Sequence, residues 1–141
     1  MKHVGGVIVS HGQVATELLA AAETVVGDLG HITAVSIGWH DDVEVAKGEI
    51  ERAIKQVNEG SGVMILTDMF GGTPTNISAM FLKPGEIEMV TGVNLPMVIK
   101  LASHSKDTSL TELSIIVEEQ GKQAIHRTAA LLEPQRAKKD A

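Results

Sequence analysis

The sequence predicts an α/β protein: a three-layer α/β/α fold on a mostly parallel, doubly wound sheet. Three observations carry this. Short apolar runs at residues 4–10, 32–37, 63–67 and 87–90 alternate with longer stretches whose apolar residues recur at helical spacing. Glycines punctuate the junctions at Gly27, Gly30, Gly60, Gly62 and Gly85. The chain has 141 residues, 43% of them hydrophobic, which suits one domain with one core. Strict alternation implies right-handed crossovers. The strand order 2-1-3-4-5 then makes the first and third strands neighbours, with a crevice at their carboxyl ends where the order reverses.

Each element has its own local cause. The first strand covers residues 4–10, and a helix over 13–26 follows, with Leu18, Leu19, Ala22, Val25 and Val26 as its apolar face. Gly27 and Gly30 end it. The second strand is 32–37, after which Asp41 or Asp42 caps a helix whose inner face is Val43, Ala46, Ile50, Ala53, Ile54 and Val57. The third strand, 63–67, leads to Thr73-Pro74, read as an N-cap with proline at the first helical position, and so to a short helix over 74–81. Lys83-Pro84-Gly85 closes that helix. A fourth strand at 87–90 ends in the tip loop 91–94, Pro96 opens a helix to about residue 102, and 110–124 form another. Residues 125–132 fit a helix and a late edge strand equally, through Ile125, Thr128, Leu131 and Leu132. The domain thus spans 1–133, and 134–141 read as a frayed, charged tail.

Composition narrows the function. With no Tyr and only Trp39, Phe70 and Phe81 as aromatics, the core is aliphatic, and Met64, Met80 and Met97 read as core filler. The absence of cysteine removes disulfide, thiolate and cysteine-ligated metal chemistry. A net charge of −6 without a basic stripe argues against nucleic acid. The apolar run after Met1 lacks the length and cleavage pattern of a signal sequence, and no segment approaches a membrane span. The expectation is a soluble, cytoplasmic protein without direct membrane insertion.

Two strand tips carry the chemistry. His11 lies in Ser10-His11-Gly12, directly after the first strand, and Asp68 opens the sequence Asp68-Met69-Phe70-Gly71-Gly72-Thr73-Pro74 directly after the third. In a parallel sheet both tips share one edge, so His11 and Asp68 face each other across the crevice. A neutral imidazole has a lone pair that attacks phosphorus without a general base. If Asp68 accepts a hydrogen bond from Nδ1, it orients the ring, leaves Nε2 as nucleophile and stabilises the growing positive charge. The transferred group needs donors already in place. Gly71 and Gly72 permit close backbone approach, the helix start offers free N–H groups and the positive dipole end, and Thr73 adds a hydroxyl. Gly12 and the start of the first helix offer a second anion-facing edge. The pocket gathers one carboxylate, so neither metal nor cofactor is called for.

Singly, these signals have bland readings: a solvated histidine, a turn-ending aspartate, a plain loop-to-helix link. Their joint placement at the predicted switch point gives them weight. His40, beside Trp39, reads as a solvated turn with a possible ligand contact. His3, His31, His104 and His126 have no partner at a metal-ligand spacing and are assigned structural or solvated roles. Glu118-Glu119 read as a wet helix face.

With these residues on the page, the chain resembles the mannose-family IIA component of the bacterial phosphoenolpyruvate-dependent sugar phosphotransferase system. The likeness runs through Val7-Ile8-Val9-Ser10-His11-Gly12, then Leu66-Thr67-Asp68-Met69-Phe70-Gly71-Gly72-Thr73-Pro74-Thr75-Asn76, to Gly92-Val93-Asn94-Leu95-Pro96-Met97. The resemblance implies that His11 is phosphorylated at Nε2 and Asp68 orients it. Thr73 stands where members carry Ser or Thr near the phosphoryl group, and Gly12, Phe70, Gly71 and Gly72 complete the phosphoryl-binding loop. Phe70 replaces a Trp or Leu of some members. The resemblance further implies the phosphocarrier protein HPr as donor and a separate IIB component as acceptor. It also implies a homodimer in which residues 125–132 form an antiparallel fifth strand exchanged with the partner, closing an open edge.

Three other readings compete. A regulatory switch of the same fold would signal phosphorylation state without sugar transport. A receiver-like domain phosphorylated on Asp68 would need an acidic cluster at the first strand tip, where Ser10-His11 stands. A nucleotide-binding module lacks any Walker or Gly-x-Gly-x-x-Gly pattern.

Overall fold

The computed structural model describes residues 2–38 and 41–133. Trp39, His40 and the tail 134–141, and with them the expectations for a turn and a frayed end, lie outside the described residues. The elements are β1 (Gly5–His11), α1 (Val14–Val26), β2 (Ile32–Ile37), α2 (Val43–Val57), β3 (Val63–Thr67), α3 (Gly72–Ala79), β4 (Ile87–Thr91), α4 (Leu95–Ala102) and α5 (Leu110–Gln123). The sheet order is β2-β1-β3-β4, all pairs parallel. This is the predicted doubly wound sheet up to its fourth strand.

Alternation along β1 and β3 divides the core into two. Ile8, Met64 and Leu66 pack with α1, α4 and α5 through Ala15, Ala22, Val98, Leu101, Leu113 and Val117. Val7, Val9, Val63 and Ile65 pack on the other face with α2 and α3 through Ile50, Ile54, Val57 and Ile77. β1 is central and covered on both faces, which explains its near-continuous apolar run. α2 approaches β1 tightly at Gly5, where a Cβ would run into the Val57 carbonyl oxygen.

Caps behave largely as the sequence suggests. The Asp42 side chain accepts from the Glu44 amide, Asn94 from Met97 and Ser109 from Glu112. The choice between Asp41 and Asp42 falls to Asp42. α3 departs from expectation, starting at Gly72 with Gly71 in the cap position and no side-chain cap bond, so Thr73 is not the N-cap. Gly71 and Gly72 have φ of 90° and 82°, so the chain turns into the helix through backbone geometry open to glycine, and no hydroxyl is needed.

Three further expectations change. Val25 and Val26 are exposed, because the core-facing stripe of α1 ends at Ala22 and the chain re-enters the core at Leu29. Met80 is exposed just past α3, whereas Met64 and Met97 are buried. Among the described residues there is no fifth strand: 128–133 are helical. An antiparallel edge strand needs a ladder partner. In the single chain this segment makes local bonds instead, the Leu131 amide donating to the Arg127 carbonyl at 3.1 Å.

Candidate functional site

The pairing of β1 with β3 in register Val9↔Thr67 places the residues just beyond each strand's core side by side. His11 ends β1 and Asp68 follows β3. The His11 backbone N–H donates to Asp68 Oδ2 at 3.0 Å, and its ring Nδ1 lies 2.8 Å from the same oxygen. An ionised carboxylate only accepts, so Nδ1 carries the proton and Nε2 the lone pair. The imidazole is 49% exposed and the Asp68 side chain 16%. Burial is the largest single influence on Asp68 and pushes its pKa up. The hydrogen bonds from the His11 amide and ring outweigh it, so the carboxyl sits below its usual range. Its other oxygen, Oδ1, is buried without a hydrogen-bond partner among the described residues.

Nε2 faces the predicted glycine loop. A Cβ on Gly72 would stand 3.1 Å from both His11 Cε1 and Nε2, so only a glycine leaves that edge of the ring clear. In front lies a cavity of about 500 Å³ lined by His11, Gly12, Ile37, Gly38, Asp41, Val43, Gly72 and Thr73. Thr73 is exposed on its wall, and the first N–H groups of α3 have no intrahelical partner, an arrangement suited to an anion. Gly12, at φ 51°, swings the chain into α1, but its N–H donates to the Ile37 carbonyl at 2.9 Å. It therefore shapes the mouth and supplies no free donor. Phe70 is 85% exposed, and Met69, Val14 and Val43 are exposed as well; of these four, Val43 lines the cavity.

Sequence reasoning missed several supports. Ser10 Oγ accepts from the Ala15 amide at 2.6 Å and so caps α1 from inside β1, while donating to the His11 carbonyl. Buried Thr75 donates to the Met69 carbonyl at 2.6 Å, so Thr67 Oγ1, 3.0 Å away, must be the donor in the bond between the two hydroxyls. This chain holds the Asp68 loop on β3. Asp41, which lines the cavity, adds a carboxylate to the site beside Asp68, against the single one expected; its Oδ2 accepts from the Gly38 amide at 2.6 Å. Its sequence signal, a choice between two adjacent aspartates as helix cap, pointed to a different role.

Known proteins similar to this chain share one family. Residues 5–117 match the family model EIIA-man, described as PTS system fructose IIA component. The chain is 28% identical over 108 residues to the fructose-specific EIIA component of Bacillus subtilis, covering 76% of this chain and 74% of that protein. It is 32% identical over 126 residues to the mannose-specific EIIAB component of Escherichia coli K12, covering 84% of this chain but only 38% of the relative. The solved mannose/sorbose-specific IIA subunit of Enterococcus faecalis superposes with a TM-score of 0.79 at 27% identity, covering 89% of this chain and 94% of that one.

Proposed function

Because this chain belongs to the mannose-type IIA family of the phosphoenolpyruvate-dependent sugar phosphotransferase system, we propose that it is a phosphohistidine carrier that takes a phosphoryl group from phospho-HPr onto His11 and passes it to a separate IIB component in carbohydrate uptake. The observation that carries the reading is the 2.8 Å contact between Nδ1 and Asp68, with Nε2 left unprotonated above Gly72.

The step balances without an external base. The Nε2 lone pair attacks phosphorus as the donor's P–N bond breaks, and the electron pair leaves with the donor imidazole. The proton on Nδ1 stays on its hydrogen bond to Asp68, whose charge offsets that developing on the ring. Amides at the start of α3 and the Thr73 hydroxyl receive the charge spread over the phosphoryl oxygens. Transfer to IIB reverses these roles. The exposed apolar side chains Val14, Val43, Met69 and Phe70, all on segments that follow strand tips or open helices near His11, support a protein as donor and acceptor. The exposed Ile125, Leu131 and Leu132 support a homodimer in which a second copy covers this end of the chain. No helix among the described residues is long and apolar enough to cross a membrane, in keeping with a carrier on the cytoplasmic side.

The test is reconstitution with phosphoenolpyruvate, enzyme I and HPr, followed by mapping of the label. Label on His11, stable to base and labile to acid, that drains when a IIB partner is added, fits the proposal. Label on Asp68, or normal labelling of His11→Ala, overturns it. Label on His11 that no IIB partner drains points to the regulatory switch.

A further inference from the structure

At the amino-terminal edge of the sheet, opposite His11, three imidazoles scattered over a hundred residues of sequence meet. His3 precedes β1, His31 precedes β2, and His104 follows α4, which returns the chain to that edge. The rings of His3 and His31 stack with centroids 4.5 Å apart, and that of His104 stands edge-on to His3 at 5.1 Å. One ring nitrogen from each lies within 4.8 Å of the other two. His3 Nδ1 and His31 Nε2 are buried and have no hydrogen-bond partner among the described residues. Folded interiors seldom leave such atoms unmatched, and each calls for an explanation.

We propose that His3, His31 and His104 form a site for a divalent transition-metal ion of the zinc type, with His3 Nδ1 and His31 Nε2 as its first donors. His104 is already set as a ligand. Its Nδ1–H donates to the Leu101 carbonyl, which fixes the tautomer and leaves the lone pair on Nε2. That lone pair now accepts the Val4 amide at 3.0 Å, and it joins the ion by exchanging this bond. Neutral imidazole suits zinc, and unlike calcium or magnesium such an ion needs no cage of oxygens. Burial, and then the neighbouring His3 and His104, hold His31 below its usual pKa; burial does the same for His104.

The site lies about 25 Å from His11 along β1. At that distance the ion is a structural staple. It ties the segment before β1 to the turns entering β2 and leaving α4, and takes no part in phosphoryl transfer.

The experiment uses the full-length, tag-free chain, titrated with Co²⁺ and followed by its d–d absorption, then with Zn²⁺ in competition and in thermal unfolding. One ion per chain is expected, with an intense four-coordinate cobalt spectrum. The Tm should rise by about 5–10 °C at a hundredfold excess of Zn²⁺ over Kd. His3→Ala and His31→Ala should each weaken binding about 10- to 100-fold. His11→Ala and His126→Ala should leave it unchanged. Metal-free unfolding of each variant checks that it folds. Absence of a four-coordinate spectrum in the wild type, or equal binding by the His3→Ala/His31→Ala double variant, would overturn the site. Loss of binding in His11→Ala would do the same, without bearing on the carrier role.

Discussion

Gly72→Ala, compared with Gly71→Ala, separates backbone strain from crowding of the nucleophile. Both glycines have positive φ, 90° at Gly71 and 82° at Gly72, so an alanine at either costs about 1–2 kcal/mol of left-handed strain. Each variant should then lose roughly 2–8 °C in Tm. The methyl groups meet different surroundings. At Gly71 nothing lies within 4 Å, whereas at Gly72 the methyl carbon sits 3.1 Å from His11 Nε2 and Cε1. An ordinary contact is about 3.5–4.0 Å, so the ring must withdraw by roughly 0.5 Å. It is tethered to Asp68 at 2.8 Å, and withdrawal either stretches that bond or turns Nε2 from the cavity. Misplacement of a reacting atom by about 1 Å costs on the order of 100-fold, so a 10-fold or greater loss is expected for Gly72→Ala. Single-turnover transfer of labelled phosphate from phospho-HPr measures it, with urea unfolding as the stability control. Equal rates for the two variants would refute the claim that Gly72 keeps the space beside Nε2 open.

Asp68→Ala should slow phosphorylation of His11 by about 10²–10⁴-fold while far-ultraviolet circular dichroism stays native, since the loss is of ring orientation and charge. The folded pKa of Asp68 is depressed, so its stabilisation is full above the unfolded value of about 3.9 and fades as pH falls through the folded one. The stability gap between wild type and Asp68→Asn should therefore close below about pH 4 in urea titrations, and a gap constant down to pH 2 would contradict the assignment. Phe70→Ala should leave stability within about 0.5 kcal/mol, because the ring is 85% exposed, yet raise KM for phospho-HPr about fivefold or more. Gly5→Ala should cost at least about 3 kcal/mol, since its Cβ meets backbone oxygen of Val57 at 2.3 Å and backbone yields little; a stable, soluble variant would show that α2 can move off β1.

How much was legible depended on the range of the interactions. β2 and β3 fall at the predicted residues because Gly30 and Gly38 flank the first apolar run, and Gly62 and Asp68 bound the second. The meeting of His11 and Asp68 could be inferred because two parallel neighbours bring their carboxyl tips together whatever the side chains do. The start of α3 was misplaced because Thr73-Pro74 is a strong capping signal, whereas two left-handed glycines just before it turn the chain earlier. The fifth strand rested on a partner edge, and the single chain answers with helix at 128–133.

By itself, the order of residues determined the alternation of strands and helices, the aliphatic core, and the meeting of His11 and Asp68 at two neighbouring strand tips. These follow from period, punctuation and topology, which are local or nearly so. Tertiary structure alone decided that Gly72 lies against His11 Nε2, that Asp41 shares its cavity, and that His3, His31 and His104 converge. Such contacts arise from how far one packed layer stands from the next. Spacing along a chain carries no record of that distance until the helices have settled on the sheet.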